Sequence, residues 1–366
     1  LPVCDVETGT CRKCREHRDC PATACELDEG ICFPNDATQT QPLYVDAGAK
    51  NCAAASCEVG MPCCELATAL EKAAAQPKPY VVIRVAGGAG SLPATLTTSG
   101  KKVAVLADKN FVLTPAMGTG AILLGGANMA FTASKLFLSG LRIVGGANST
   151  AVGCINAAGV WLDEVEVRGN AGYSLYSYAC PVQVRRSQFV ANQYGVAGAA
   201  ESEVVLENTI VAGIKASPVV VFMNDTVMSM RYVTLGEPDV VYERMVECDG
   251  TGTLNIRNSV LVSSGTISLN PCMPTMKTVV HTASTASHLA GAGDNKVVTL
   301  QEVVPLFESW AARDLRLVEA GPLADVARWE AALDPLVDFE GAPRPARDGS
   351  PDVAGADLPG PPPAGP

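Results

Sequence analysis

The sequence predicts an all-β solenoid. Three observations predict it: a strand pattern recurring every 22–26 residues, 48% hydrophobic residues with only 5% aromatics, and 34 glycines in 366 residues. The apolar mass is Val, Leu, Ile and Ala, and with so many glycines it suits short strands joined by tight turns.

The repeat is carried by six segments: Leu136–Ile143, Val160–Val167, Val182–Phe189, Val204–Val211, Met228–Leu235 and Leu254–Leu261. Their anchors Leu138, Leu162, Val184, Leu206, Met230 and Ile256 stand 24, 22, 22, 24 and 26 residues apart. The residue two before each anchor and the residue five after it are apolar in every copy. Between the two short alternating runs sits a residue that breaks the alternation: Gly140, Glu164, Arg186, Asn208, Tyr232 or Asn258. Gly and Asn tolerate the left-handed backbone that a sharp bend requires. One repeat is then one turn, and equivalent strands stack about 4.8 Å apart in parallel sheets. A leucine-rich repeat has a similar period but needs a fixed Leu and Asn frame, which these copies lack. Val81–Val85, Val103–Leu106 and Ile122–Leu124 read as earlier, less regular coils. The solenoid is expected over 80–275, with roughly eight coils. Leu138, Leu162, Val167, Val184, Phe189, Leu206, Val211 and Ile256 are expected in its core.

Residues 1–34 hold Cys4, Cys11, Cys14, Cys20, Cys25 and Cys32 with almost no apolar run between them, so covalent bonds replace a core. The pairing stays open, since six cysteines allow about 15 connectivities. Cys11-x-x-Cys14 with His17 is the zinc alternative, which lacks a second such pair. Residues 35–79 contain a Thr/Gln/Pro/Asp-rich linker, a short strand Tyr44–Asp46, and Cys52, Cys57, Cys63 and Cys64. Leu66, Ala69, Leu70 and Ala73 then recur at helical spacing until Pro77, which predicts a capping helix. Beyond the solenoid, 276–357 reads as an irregular capping region and 358–366 as a Pro/Gly-rich tail.

The formal net charge of −11 argues against a nucleic-acid partner. No apolar run of membrane-spanning length exists. Fourteen cysteines, an even number, point to disulfides and an oxidising compartment, hence an extracellular or outer cell-surface protein. Because the sequence opens at Leu1 without an apolar leader, it reads as a mature exported chain whose signal peptide, and any lipid anchor, lies outside it.

The layout resembles secreted bacterial right-handed parallel β-helix repeat proteins. The resemblance rests on Tyr44-Val45-Asp46, the cysteine-bearing helix and Ile83-Arg84-Val85-Ala86-Gly87-Gly88 near the start. At the end it rests on Gly321–Ala327, Asp338–Pro345 and Pro351–Asp357. The six-cysteine head resembles short cysteine-rich modules of exported bacterial proteins. The resemblance implies a right-handed parallel β-helix with an N-terminal capping helix and a small disulfide-rich module. It also brings in pectate lyases and polygalacturonases, which share the fold; fold alone does not carry function.

Those enzymes need clustered carboxylates, or carboxylate-bound calcium with a base. The outward column Ser139, Asp163, Arg185, Glu207, Arg231, Arg257 alternates in sign instead, which predicts an exposed salt-bridge ladder. A carboxylate site of Asp163, Glu164 and Glu166 is the catalytic alternative, and calcium would enter only with it. Histidines number three, His17, His281 and His288, none of them in the repeat. Tyr173, Tyr176 and Tyr178 form the densest aromatic group and are candidates for stacking on a glycan; the competing reading places two of them in the core. Asn148 and Asn224 head glycosylation sequons. The expected task is therefore non-catalytic: binding a glycan, a cell-surface protein or another envelope component, or serving as a rigid spacer, without a cofactor. The alternative is a polysaccharide lyase or hydrolase.

Cys154 and Cys180 are 26 residues apart, and Cys248 and Cys272 are 24 apart, each close to one repeat. Neighbouring coils sit at a separation a disulfide spans, whereas a bridge across three coils would need at least about 14 Å. Peptide mapping without reductant is expected to return Cys154–Cys180 and Cys248–Cys272. Alkylation of all four before reduction would refute it.

Overall fold

The structure, a computed structural model, describes residues 3–4, 11–50, 56–90, 100–108, 111–113, 122–125, 134–146, 150–216, 218–238, 245–265, 267, 277–290 and 293–360. The chain forms an all-β parallel solenoid with few helices, in two compact units, Leu1–Val165 and Glu166–Pro366.

In the first unit, Thr40–Asp46, Tyr80–Ala86, Lys102–Ala107, Lys135–Ser139 and Gly159–Asp163 pair in parallel, in that order. The short strand expected at Tyr44 is thus a full seven-residue rung, the first of its sheet. Ala89–Gly90, Val112–Leu113 and Arg142–Gly146 form a second sheet. Ile122–Gly125 pairs with Val152–Ile155 in a third. Ile122–Leu124 therefore belongs to a different wall from the anchors, a distinction that a short apolar run does not encode. Helix Leu66–Ala75 buries Leu66, Ala69, Leu70 and Ala73, the stripe its spacing predicts, and packs against Thr40–Asp46.

The cysteine-rich head is a small hairpin, Cys25–Glu26 against Ile31–Cys32, tied by Cys14–Cys25 and Cys20–Cys32. Cys14 is consumed by its disulfide, so the zinc alternative loses a thiolate. The head supplies Ala24 and Phe33 to an apolar column on the outer face of the first sheet: Val82, Ala104, Phe137 and Trp161, in register across four strands. Beside it the buried Glu26 carboxylate accepts from Lys102 and, at 2.7 Å, from Lys135. Burial alone would lower the pKa of Lys135, but Asp28, Glu26 and Glu29 outweigh it and raise it.

The second unit shows the repeat most clearly. Val184, Leu206, Met230 and Ile256 align in one sheet. Val167, Phe189, Val211, Leu235 and Leu261 align in the next. Leu175, Val196, Val220 and Val246 align in a third sheet, which the repeat segments do not contain. All eight residues expected in the core are at most 1% exposed. The register also locates the variation in repeat length. From anchor to second sheet is always five residues, as in Leu206 to Val211; from third sheet to the next anchor it is ten for Val196, Val220 and Val246. The segment between differs: seven residues from Phe189 to Val196, nine from Val211 to Val220, eleven from Leu235 to Val246.

Every residue read as a breaker has positive φ: Gly140 at 72°, Glu164 at 56°, Arg186 at 45°, Asn208 at 45°, Tyr232 at 52° and Asn258 at 54°, with His281 at 51° continuing the series. At Gly140 the side-chain-free backbone is required twice over, since a Cβ there would lie 2.2 Å from the Ala107 carbonyl oxygen. The corner amides still bond between coils: Arg186 to Glu207, Asn208 to Arg231 and Tyr232 to Arg257, each N–H reaching the carbonyl at 3.1 Å. Just after the corner, Ser187, Thr209, Ser259 and Thr282 turn their hydroxyls back onto the carbonyl two residues earlier.

The C-terminal segment closes over this row of corners. The Arg344 side chain, 0% exposed, lies 3.7 Å over the Tyr232 ring and donates to Asp352 at 3.1 Å and Asn208 Oδ1 at 3.1 Å. It also donates to the Gly355 and Ala356 carbonyls, both at 3.0 Å. Nearby, Asp357 accepts from the Leu317 amide at 2.8 Å, and Asp338 accepts from Glu340, Ala342 and Leu358. These contacts are what the conspicuous Asp338–Pro345 and Pro351–Asp357 stretches encode.

Arg344→Ala leaves Asp352 buried without its cation and is expected to cost about 3–5 kcal/mol, read as a lowered midpoint in urea. Burial, with Asp338 and Glu340 close by, pushes the Asp357 carboxyl up to about 7. Its folded pKa thus exceeds its unfolded one, so its contribution is complete below about pH 4 and is lost as pH rises toward 7. His281, whose pKa burial lowers, works in the opposite sense, so the diagnostic is a difference between variants. Wild type is expected to lose more stability than Asp357→Asn between pH 5 and 8; equal slopes would contradict the assignment.

Candidate functional site

The aromatic group lies in the second unit, on the third sheet. Strand Tyr173–Tyr178 pairs with Tyr194–Ala199, and Tyr173 stands directly beside Tyr194. Strand stacking brings those two rings to 4.9 Å, inclined by 31°. Tyr176 adds its ring 5.9 Å from Tyr173. Leu175 and Ser177 face inward, which turns Tyr176 and Tyr178 outward along the strand. Tyr178 and Tyr194 are 42% and 37% exposed, and Tyr173 and Tyr176 are half-buried. None of the four enters the core, unlike the competing reading of the sequence. Burial raises the hydroxyl pKa of both Tyr173 and Tyr176, with Tyr194 adding to the first and Tyr178 and Tyr173 to the second. Those two hydroxyls therefore stay protonated near pH 7, and each ring offers a face for apolar contact and a hydroxyl for hydrogen bonding.

Tyr194 is absent from the candidates read in the sequence. Its signal was there: it stands 21 residues after Tyr173, close to one repeat, but in the wall whose spacing varies most.

The three carboxylates of the catalytic alternative sit differently from one another. Asp163 ends a strand that is buried throughout and is itself 1% exposed, which corrects its place in an exposed ladder. Glu164 occupies the left-handed corner, and Glu166, on the following strand, is ion-paired with Arg168 at 2.7 Å. The rest of the expected column is in register as Arg185, Glu207, Arg231 and Arg257, all half-buried. It is overlaid rather than open: Arg231 donates to the Leu333 carbonyl at 2.9 Å, and Arg257 pairs with the buried Asp334 at 2.9 Å.

Among the described residues no cysteine is free. Cys57 bonds Cys63, and Cys64, Cys154, Cys180 and Cys248 are each disulfide-bonded. Cys52, Cys272 and Asn148 lie outside the described residues. Asn224 has a φ of 48° in the tight turn before Thr226–Arg231. No described helix is long and apolar enough to cross a membrane.

A family of unknown function (DUF8331) matches residues 1–38, the head and the start of the linker. No curated protein matches the chain. Among solved structures, the crystal structure of pectate lyase Pel9A is similar at 12% identity, covering 82% of this chain and 94% of that one, with a TM-score of 0.31. A likeness at that score decides nothing about the chemistry of this chain.

Proposed function

We propose that this is an exported, extracellular or cell-surface protein whose parallel β-helix is a rigid support for binding a glycan without catalysis. The observation that carries the reading is the group Tyr173, Tyr176, Tyr178 and Tyr194, four tyrosines reaching the surface of one sheet, two exposed and two half-buried, in a chain with only 5% aromatics. Pyranose rings have apolar faces that stack on such side chains, and backbone pairing holds these rings in place before any ligand arrives. The disulfides support an oxidising location. The scattered settings of Asp163, Glu164 and Glu166 favour binding over hydrolysis, so no cofactor is required; calcium belongs to the lyase alternative alone.

A glycan array probed with the intact protein tests the reading, run beside an assay for reducing ends and unsaturated products on acidic polysaccharides. Binding without product formation is expected. Tyr173→Ala and Tyr194→Ala are each expected to weaken the best array ligand about two- to tenfold, given roughly 0.5–1.5 kcal/mol per aromatic contact. Turnover of any polysaccharide, or binding indifferent to both substitutions, would sink the proposal.

A further inference from the structure

We propose that a groove in the first unit binds a short peptide through its free ammonium and carboxylate groups. The groove has a volume of about 590 Å³ and is walled by the head, the first three rungs and the loop closed by Cys57–Cys63. The head lines it with His17 and with Arg18, which is ion-paired with Glu16, and strand register supplies three further charges. Tyr44, Arg84 and Leu106 are aligned, and two residues further on Asp46 pairs with Ala86. Asp108 takes the next position beyond Ala86, because its amide continues the ladder onto the Val85 carbonyl at 3.0 Å. The two aspartates therefore flank the small Ala86 with backbones about 9.6 Å apart, two strand spacings. That is too wide for the carboxylates to crowd and wide enough to admit a cationic head between them.

Arg84 stands two residues away on the same face, about 6.6 Å along the strand. Its guanidinium donates to the Pro21 carbonyl at 2.7 Å and the Thr23 carbonyl at 3.3 Å, neutral partners that orient it and leave its charge in place. Among the described residues neither Asp46 nor Asp108 has an ion-pair partner, and Arg84 meets no carboxylate. The groove thus carries separated, uncompensated charges of both signs about a dipeptide's length apart, at roughly 3.3–3.6 Å per residue.

An apolar wall completes it. Val59 is 73% exposed at the tip of the disulfide-closed loop, with Leu106 opposite among the lining residues. That loop is fastened to the first rung by Tyr44 N–H to Cys57 O, Cys63 N–H to Tyr44 O and Asp46 N–H to Cys63 O, all 2.9 Å, so little ordering is left for binding. Two carboxylates are too few for calcium, which takes about 6–8 oxygens. A polyanion would meet both aspartates. An ammonium over Ala86, a carboxylate at Arg84 and an apolar side chain on Val59 describe a free dipeptide.

The test titrates the full chain with L-alanyl-L-leucine, its N-acetyl form and its C-terminal amide, by calorimetry and saturation-transfer NMR. The free dipeptide is expected to bind, and either blocked form about tenfold or more weakly, as loss of a charge-assisted hydrogen bond implies. Asp108→Asn, a substitution at an exposed position whose folding circular dichroism checks, is expected to weaken the free dipeptide and to abolish the penalty for acetylation. Tyr173→Ala is expected to leave all three unchanged, which separates this site from the glycan surface. No binding of the free dipeptide, equal binding once acetylated, indifference to Asp108→Asn, or displacement by calcium chloride would each overturn the proposal.

Discussion

Everything in this molecule depends on the left-handed residue at one corner of each coil. A single residue of positive φ between two short strands bends the chain from one sheet into the next and shifts the alternation by one, so that both strands turn their apolar residues inward. Were it to slip by one, the whole inward set of the next strand would face water. Glutamate, arginine and tyrosine occupy this corner as well as glycine and asparagine. Their strain, roughly 1 kcal/mol or more per residue, is offset by inter-coil hydrogen bonds that begin at the corner amide itself.

The same corner explains how the C-terminal segment is held. A parallel stack offers backbone and side-chain donors in a row, and Asn208, Tyr232 and Asn258 are consecutive members of that row. Arg344 is planar and rich in donors, so it lies on the tyrosine ring while bonding the asparagine, an aspartate and two carbonyls. Asn258 is engaged in the same way, by Arg328 N–H and by Asp334. On the first unit the head uses a different device, an apolar column with a buried carboxylate between two lysines.

Much of this was legible in the sequence, and the reason is periodicity. The anchors, the apolar positions five residues later and the breakers recur at almost fixed spacing, so two of the three walls and their shared corner could be read directly. The helix Leu66–Ala75 was legible because one stripe of Leu and Ala has a single interpretation. The third wall was not, since its distance from the second changes from coil to coil; Tyr194 was missed for that reason. Asp163 was misplaced because alternation assigns a face but does not reveal what lies over it. The groove beside Arg84 escaped altogether: Asp46, Arg84 and Asp108 are separated by dozens of residues and meet only through strand pairing.

Over the described coils of the second unit the stretch between the second and third walls runs to eight, seven, nine and eleven residues, while anchor to second wall holds at five and third wall to next anchor stays at nine or ten. The scaffold thus has a built-in seam at which chain can be added without shifting a rung. Foreign loops grafted there would be displayed one above another at strand spacing, which makes this row the natural place to install new recognition sequences on an otherwise unaltered framework.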